Sequence, residues 1–189
     1  MATSESFQWN PEDYRTVVNC LEDGDIVCRS KDNFISLCIK CTSISDSRFS
    51  HVGIIEKKNG KCYVIYSIGL TGSGNSRTIK EPLKDFTNNT LDWEIYRINR
   101  NIDSRHKICQ IANTKLGIGY DYLFSLFSDE RLYCSELVYK CTNQALQEEF
   151  YTPQNIFGFP IMLVCQCYCH TDVHSIVHLE RLKVKITNQ

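Results

Sequence analysis

The chain has 189 residues, 42% of them hydrophobic and 23% charged, which are values of a folded globular protein rather than a disordered one. Its 21 basic and 22 acidic residues leave a net charge of -1, which argues against nucleic-acid binding by bulk charge and against a polybasic membrane anchor. No apolar run approaches the roughly 20 residues of a transmembrane helix, and Met1 to Asn10 has neither the basic nor the apolar region of a signal peptide.

Asn10-Pro11-Glu12-Asp13 opens a helix to about Leu21: an Asn cap, Pro in the first turn and two acids facing the helix dipole. Glu22-Asp23-Gly24-Asp25 is a turn, and Ile26-Val27-Cys28 opens a strand. Phe34 to Cys41 has helical apolar spacing. His51 to Glu56 is β-branched and strand-like, Lys57-Lys58-Asn59-Gly60 is a hairpin turn, and Cys62 to Ile68 is the return strand. Gly69 to Gly74 is a loop, and Trp93 to Arg97 is another strand. Asp103 to Leu116 is a helix closed by Gly117. Tyr133 to Leu146 is a second, with Leu137, Val138, Cys141 and Ala145 on one stripe. Strands followed by helices, with one helix ahead, give an α+β domain on an antiparallel sheet packed against helices. Nothing divides residues 1–189 into separate units.

Eleven cysteines in a chain this long need not be disulfide staples. They read as reduced thiols of a cytoplasmic protein. Thiol catalysis needs a cysteine, a base and an orienting polar group, and a thiolate is favoured at a helix N-terminus. Cys134, at the start of the helix in Tyr133-Cys134-Ser135-Glu136-Leu137-Val138, fits best. His51, at the head of a strand and followed by Gly53, is the best base, and Gly53 leaves room for another chain or a substrate to come close.

Gly24-Asp25-Ile26-Val27, Ser50-His51-Val52-Gly53-Ile54-Ile55 and Tyr133-Cys134-Ser135-Glu136-Leu137-Val138 together resemble the three signature blocks of NlpC-type papain-like hydrolases. The cysteine block comes last here. That order resembles the circularly permuted branch, the YiiX/YebB-like cysteine peptidases and amidases, and Gly119-Tyr120-Asp121 fits the same group. The resemblance covers Asp23 to Gln147. It implies a papain-like fold, with Cys134 as nucleophile and His51 as base. The third member of such sites is usually an acid on the strand paired with the histidine strand, and Tyr66 stands at that place. A phenol there either orients the imidazole or is a packing aromatic; a Cys–His pair can work without a third acid.

Cys165-Gln166-Cys167-Tyr168-Cys169-His170 is dense in metal-binding residue types, but it lacks the gaps of a structural zinc site. As an extended strand it would turn all three thiols to one face. Cys38-Ile39-Lys40-Cys41 lies in an apolar helical run and reads as core. His170, His174 and His178 share a face if their segment is helical. Pro160 to Val164 reads as a core strand, and an acyl-chain groove is the alternative. The expectation is therefore no metal and no cofactor. The function is thiol hydrolysis of a peptide, cell-wall peptide or lipid acyl bond. A binding module of the same fold, favoured by Tyr66, and a lipid acyltransferase are the alternatives.

Overall fold

The computed structural model describes residues 7–31, 48–69, 76–180 and 183–187. The elements in chain order are α1 (Pro11–Cys20), β1 (Ile26–Ser30), β2 (His51–Lys58), β3 (Lys61–Ile68), β4 (Arg77–Pro82), α2 (Leu83–Thr87), β5 (Asp92–Ile98), α3 (Ile102–Thr114), α4 (Cys134–Leu146), β6 (Gln154–Ile156), β7 (Phe159–Ile161), α5 (Val164–Tyr168), β8 (Val173–Glu180) and β9 (Lys183–Ile186). Seven strands form an antiparallel sheet in the order β4-β3-β2-β1-β5-β8-β9, and β6 and β7 form a separate hairpin.

Local chemistry explains the elements that the sequence announces. Asn10 caps α1, its side chain accepting the Asp13 N–H at 2.8 Å. Asn59 and Gly60, at φ of 53° and 72°, make the left-handed two-residue turn that joins β2 to β3. Asn101 caps α3 on the Ser104 N–H at 2.8 Å. Gly24 holds φ at 79°, and its α-carbon lies so close to the Arg105 carbonyl that a β-carbon would stand 2.3 Å from that oxygen. The next residue, Asp25, is buried and takes two hydrogen bonds from Arg97 on β5. Burial raises its pKa, and the guanidinium opposes that rise.

The sheet carries a core on each face. Ile26, Cys28, Val52, Ile54, Ile65 and Ile98 pack against α3, α4 and α5. Val27, Ile55, Val64, Tyr66, Trp93 and Ile95 pack against Phe7, Trp9, α1 and α2. Successive residues of one strand thus serve opposite cores, the period-two rule of a sheet covered on both sides. All of β1 is buried because it lies at the sheet's centre.

Three readings change. The stretch 77–87 forms β4 and α2. The three-thiol segment forms the short helix α5 rather than a strand, with Gln166 accepting the Leu163 N–H at 2.8 Å to start it; Pro160 and Ile161 belong to hairpin strand β7 ahead of it. His174 and His178 lie on strand β8, which returns to the main sheet beside β5, so strands do not all precede helices. Phe34 to Cys41, its Cys38 and Cys41, and Leu70 to Gly74 of the glycine loop lie outside the described residues. Among the described residues, no helix is long and apolar enough to cross a membrane, and Cys20, Cys28, Cys62, Cys109, Cys134, Cys141, Cys165, Cys167 and Cys169 are free thiols.

Candidate active site

Cys134 is the first residue of α4. Tyr133 caps the helix in extended conformation, and its backbone N–H donates to Glu136 Oε2 at 3.2 Å. Leu137, Val138 and Cys141 are wholly buried against the sheet, and each aliphatic side chain so buried contributes about 1.5–3 kcal/mol. This packing drives the helix N-terminus into the edge of the first core, and Cys134 is left 3% exposed. Tyr133 and Ser135 also fix the chain beyond the hairpin: the Met162 N–H donates to the Tyr133 hydroxyl at 2.9 Å, and Ser135 donates to the Met162 carbonyl at 2.8 Å.

Backbone hydrogen bonding at Val52, Ser135 and Cys134 itself favours the Cys134 thiolate. Burial outweighs it and raises the thiol's pKa above its ordinary value. Val52 follows His51 in β2, a strand on which α4 packs.

His51 is half-buried at the head of β2, opposite Arg29 of β1. Its imidazole donates to the Ser50 carbonyl, which favours the charged ring. Burial first, and the Arg29 charge second, lower its pKa to about 3. The structure brings His51 and Tyr66 together edge to face, with ring centroids 5.5 Å apart. The Tyr66 hydroxyl donates to Glu81 Oε1 at 2.7 Å.

Arg29 and Glu81 are the neighbours that sequence reasoning missed. Arg29 is 4% exposed. Its guanidinium lies 3.9 Å from the Phe86 ring centroid and 5.2 Å from that of Tyr66, donates to the Phe86 carbonyl, and stands 3.8 Å from Glu81. A lone arginine inside the apolar run of β1 was the available signal. Glu81 carries no such signal, because Arg77–Pro82 has no apolar run. The close approach that Gly53 permits is made by β3: a β-carbon there would stand 2.5 Å from Val64 Cγ1 and 3.0 Å from Tyr66 Cβ.

A family model described as a permuted papain-like amidase enzyme, YaeF/YiiX, C92 family, matches residues 20–158. The chain belongs to that family. Among its relatives is YiiX of Escherichia coli (strain K12), 29% identical over 146 residues, or 75% of this chain. The chain spans 62% of that relative's length. A crystal structure described as metalloprotein YiiX from Escherichia coli O157:H7 superposes with a TM-score of 0.70 at 22% identity, covering 83% of this chain and 97% of that one. The permuted papain-like fold is thus shared.

Among the described residues, no group of three or more His, Cys, Asp or Glu could hold a metal ion. Cys165, Cys169 and His170 instead line a cavity of about 220 Å³ with Tyr151, Gln154 and Gln166. There His170 stacks on Phe150 at 4.2 Å and accepts the Asp172 N–H through Nδ1.

Proposed function

We propose that this permuted papain-like amidase cleaves an amide or peptide bond, with Cys134 as nucleophile and His51 as base. The observation that carries the reading is the place of Cys134: the first residue of α4, 3% exposed, where backbone hydrogen bonding at Val52, Ser135 and Cys134 itself favours the thiolate. As the sulfur attacks the carbonyl carbon, its proton passes to His51. The N–H groups of the helix start receive the charge that develops on the oxygen. Collapse of the adduct breaks the C–N bond, and the leaving amine takes the proton from the imidazolium. Water, deprotonated by His51, then hydrolyses the thioester, releasing the acid and the thiol.

The pair rests as neutral thiol and neutral imidazole, because burial raises the one pKa and lowers the other. Proton transfer therefore accompanies attack instead of preceding it. A peptide-like substrate fits the amidase family. A silent binding module is the second reading, favoured by the raised thiol and by Tyr66 in the place of an acid.

The test is mass spectrometry after incubation with peptide-amide, isopeptide and acyl-ester probes. An acyl-enzyme on Cys134 with a peptide or amide probe, absent in Cys134→Ala, is expected, together with slow alkylation by iodoacetamide near neutral pH. Turnover retained by Cys134→Ala overturns the mechanism. Acylation by esters alone, passed on to an added alcohol or amine, overturns it in favour of acyl transfer to a lipid. No acylation by any probe class overturns it in favour of the binding module.

A further inference from the structure

The acid missing beside His51 in the sequence lies one strand farther out, and it comes with a buried cation. Tyr66 on β3 donates to Glu81 on β4. Arg29 on β1 reaches the same two groups from the other side: its guanidinium lies 5.2 Å from the Tyr66 ring centroid and 3.8 Å from Glu81. Phe86 of α2 covers the guanidinium with its ring and takes a hydrogen bond on its carbonyl. The phenol thus donates to Glu81, while its ring meets the imidazole edge and lies beside the Arg29 guanidinium. Carrying a guanidinium into a protein core costs several kcal/mol unless it is paired. A packing aromatic at position 66 would need neither ion.

We propose that Arg29, Tyr66 and Glu81 form a buried clamp of positioning residues that sets the orientation and the charge of His51. The clamp stands in for the single acid of related sites, and it acts with the opposite sign. A carboxylate beside the ring would stabilise imidazolium. Here the nearest full charge is a cation, placed directly across β1–β2 from His51, with the carboxylate one phenol farther away. Among the described residues, the charged and titratable groups facing His51 are Arg29 and Lys31 at the end of β1, Tyr66 from β3 and Glu81 through that phenol. α2 presents only Phe86 and its carbonyl. Burial first and the Arg29 charge second keep the imidazole a free base in mild acid, and Arg29 also favours negative charge at Cys134. Glu81 limits how strongly it does so.

The two ions allow a test that separates electrostatics from structure. In full-length protein with labelled histidines, the His51 imidazole is followed by NMR between about pH 4.5 and pH 8 in wild type, Arg29→Met and Glu81→Gln, with folding checked by circular dichroism. Wild-type His51 stays neutral through this range. Removing the cation brings the midpoint up into this range, a rise of at least about 1.5 pH units from about 3. Removing the carboxylate leaves it at or below the wild-type value. A merely structural clamp would admit water in both variants and move both titrations upward, and that result overturns the proposal, as does no movement in Arg29→Met. If Arg29→Met does not fold, Arg29→Lys, which keeps the charge, must retain a neutral His51; a charged one there also overturns the proposal. The NMR readout is independent of turnover. The activity arm rests on the Cys134–His51 reading: the acid limb of kcat/KM should rise with the NMR titration. An enzyme silent in every form, with His51 shifting as expected, sinks that reading and leaves the clamp.

Discussion

Replacing Gly24 by alanine tests the tightest backbone approach in the fold. Two costs are involved. At φ of 79° the new β-carbon sits in the left-handed region, which costs an L-residue roughly 1–2 kcal/mol. It also meets the Arg105 carbonyl oxygen at 2.3 Å and the carbonyl carbon at 2.8 Å. Those atoms are helix backbone and cannot swing aside, so α3 or the turn before β1 must shift, at a further ~1–3 kcal/mol. Gly60 supplies the control. Its φ is 72°, yet nothing lies within 4 Å of where a β-carbon would go. Gly60→Ala carries only the dihedral cost, reduced by the stiffening of the unfolded chain, for a net loss of about 1 kcal/mol. Gly24→Ala should lose about 2–4 kcal/mol. In urea titrations with a slope of roughly 2 kcal/mol/M, the midpoint falls by about 0.5 M for Gly60→Ala and by about 1–2 M for Gly24→Ala. Equal shifts for the two variants would refute the reasoning, because the Arg105 carbonyl would then impose nothing.

The pH dependence of stability carries the mark of His51. Its folded pKa of about 3 lies below the ordinary 6.5, so the unfolded chain takes up a proton that the folded one refuses, and stability falls as pH drops below about 6.5. At pH 5 the loss is on the order of 2 kcal/mol. His51→Gln should remove it, narrowing the stability gap to wild type on the acid side; Glu136, raised to about 7 mainly by burial, cancels in that comparison. A gap constant from about pH 7 to pH 5 in chemical denaturation would contradict the buried neutral imidazole. Tyr133→Phe leaves the buried Met162 N–H without an acceptor, a cost of about 1–3 kcal/mol. Amide exchange at Met162 should speed up, and unchanged protection there would show that the hydroxyl does not hold this segment.

The elements legible in the sequence are those whose signals are local. The α4 stripe, the Asn59-Gly60 turn and the Asn10 cap each state their geometry within a few residues. β4 did not, because it is an edge strand with Arg77, Lys80 and Glu81 in six residues and no apolar run. β8 was masked by histidines spaced every four residues, a helical period laid over a strand. For the site, Cys134, His51 and Tyr66 could be picked from blocks of sequence. The thiolate expected at Cys134 from its helix start gives way to desolvation, a property of the whole core. Arg29 and Glu81 enter the site only through cross-strand pairing, and that register is not written in any short segment.

The return of β8 to the centre-side edge at β5 bears on how the molecule is made. β1, at the middle of the sheet, is flanked by β2 on one side and by β5, some 65 residues later, on the other. Ile176, Val177 and Leu179 of β8 then complete a core begun by Phe7 and Trp9. Contacts this far apart in sequence slow folding, since long loops must close before they are rewarded. Until β8 emerges from the ribosome, β5 offers a bare strand edge bearing Trp93 and Ile95, the kind of edge on which nascent chains pair wrongly with one another.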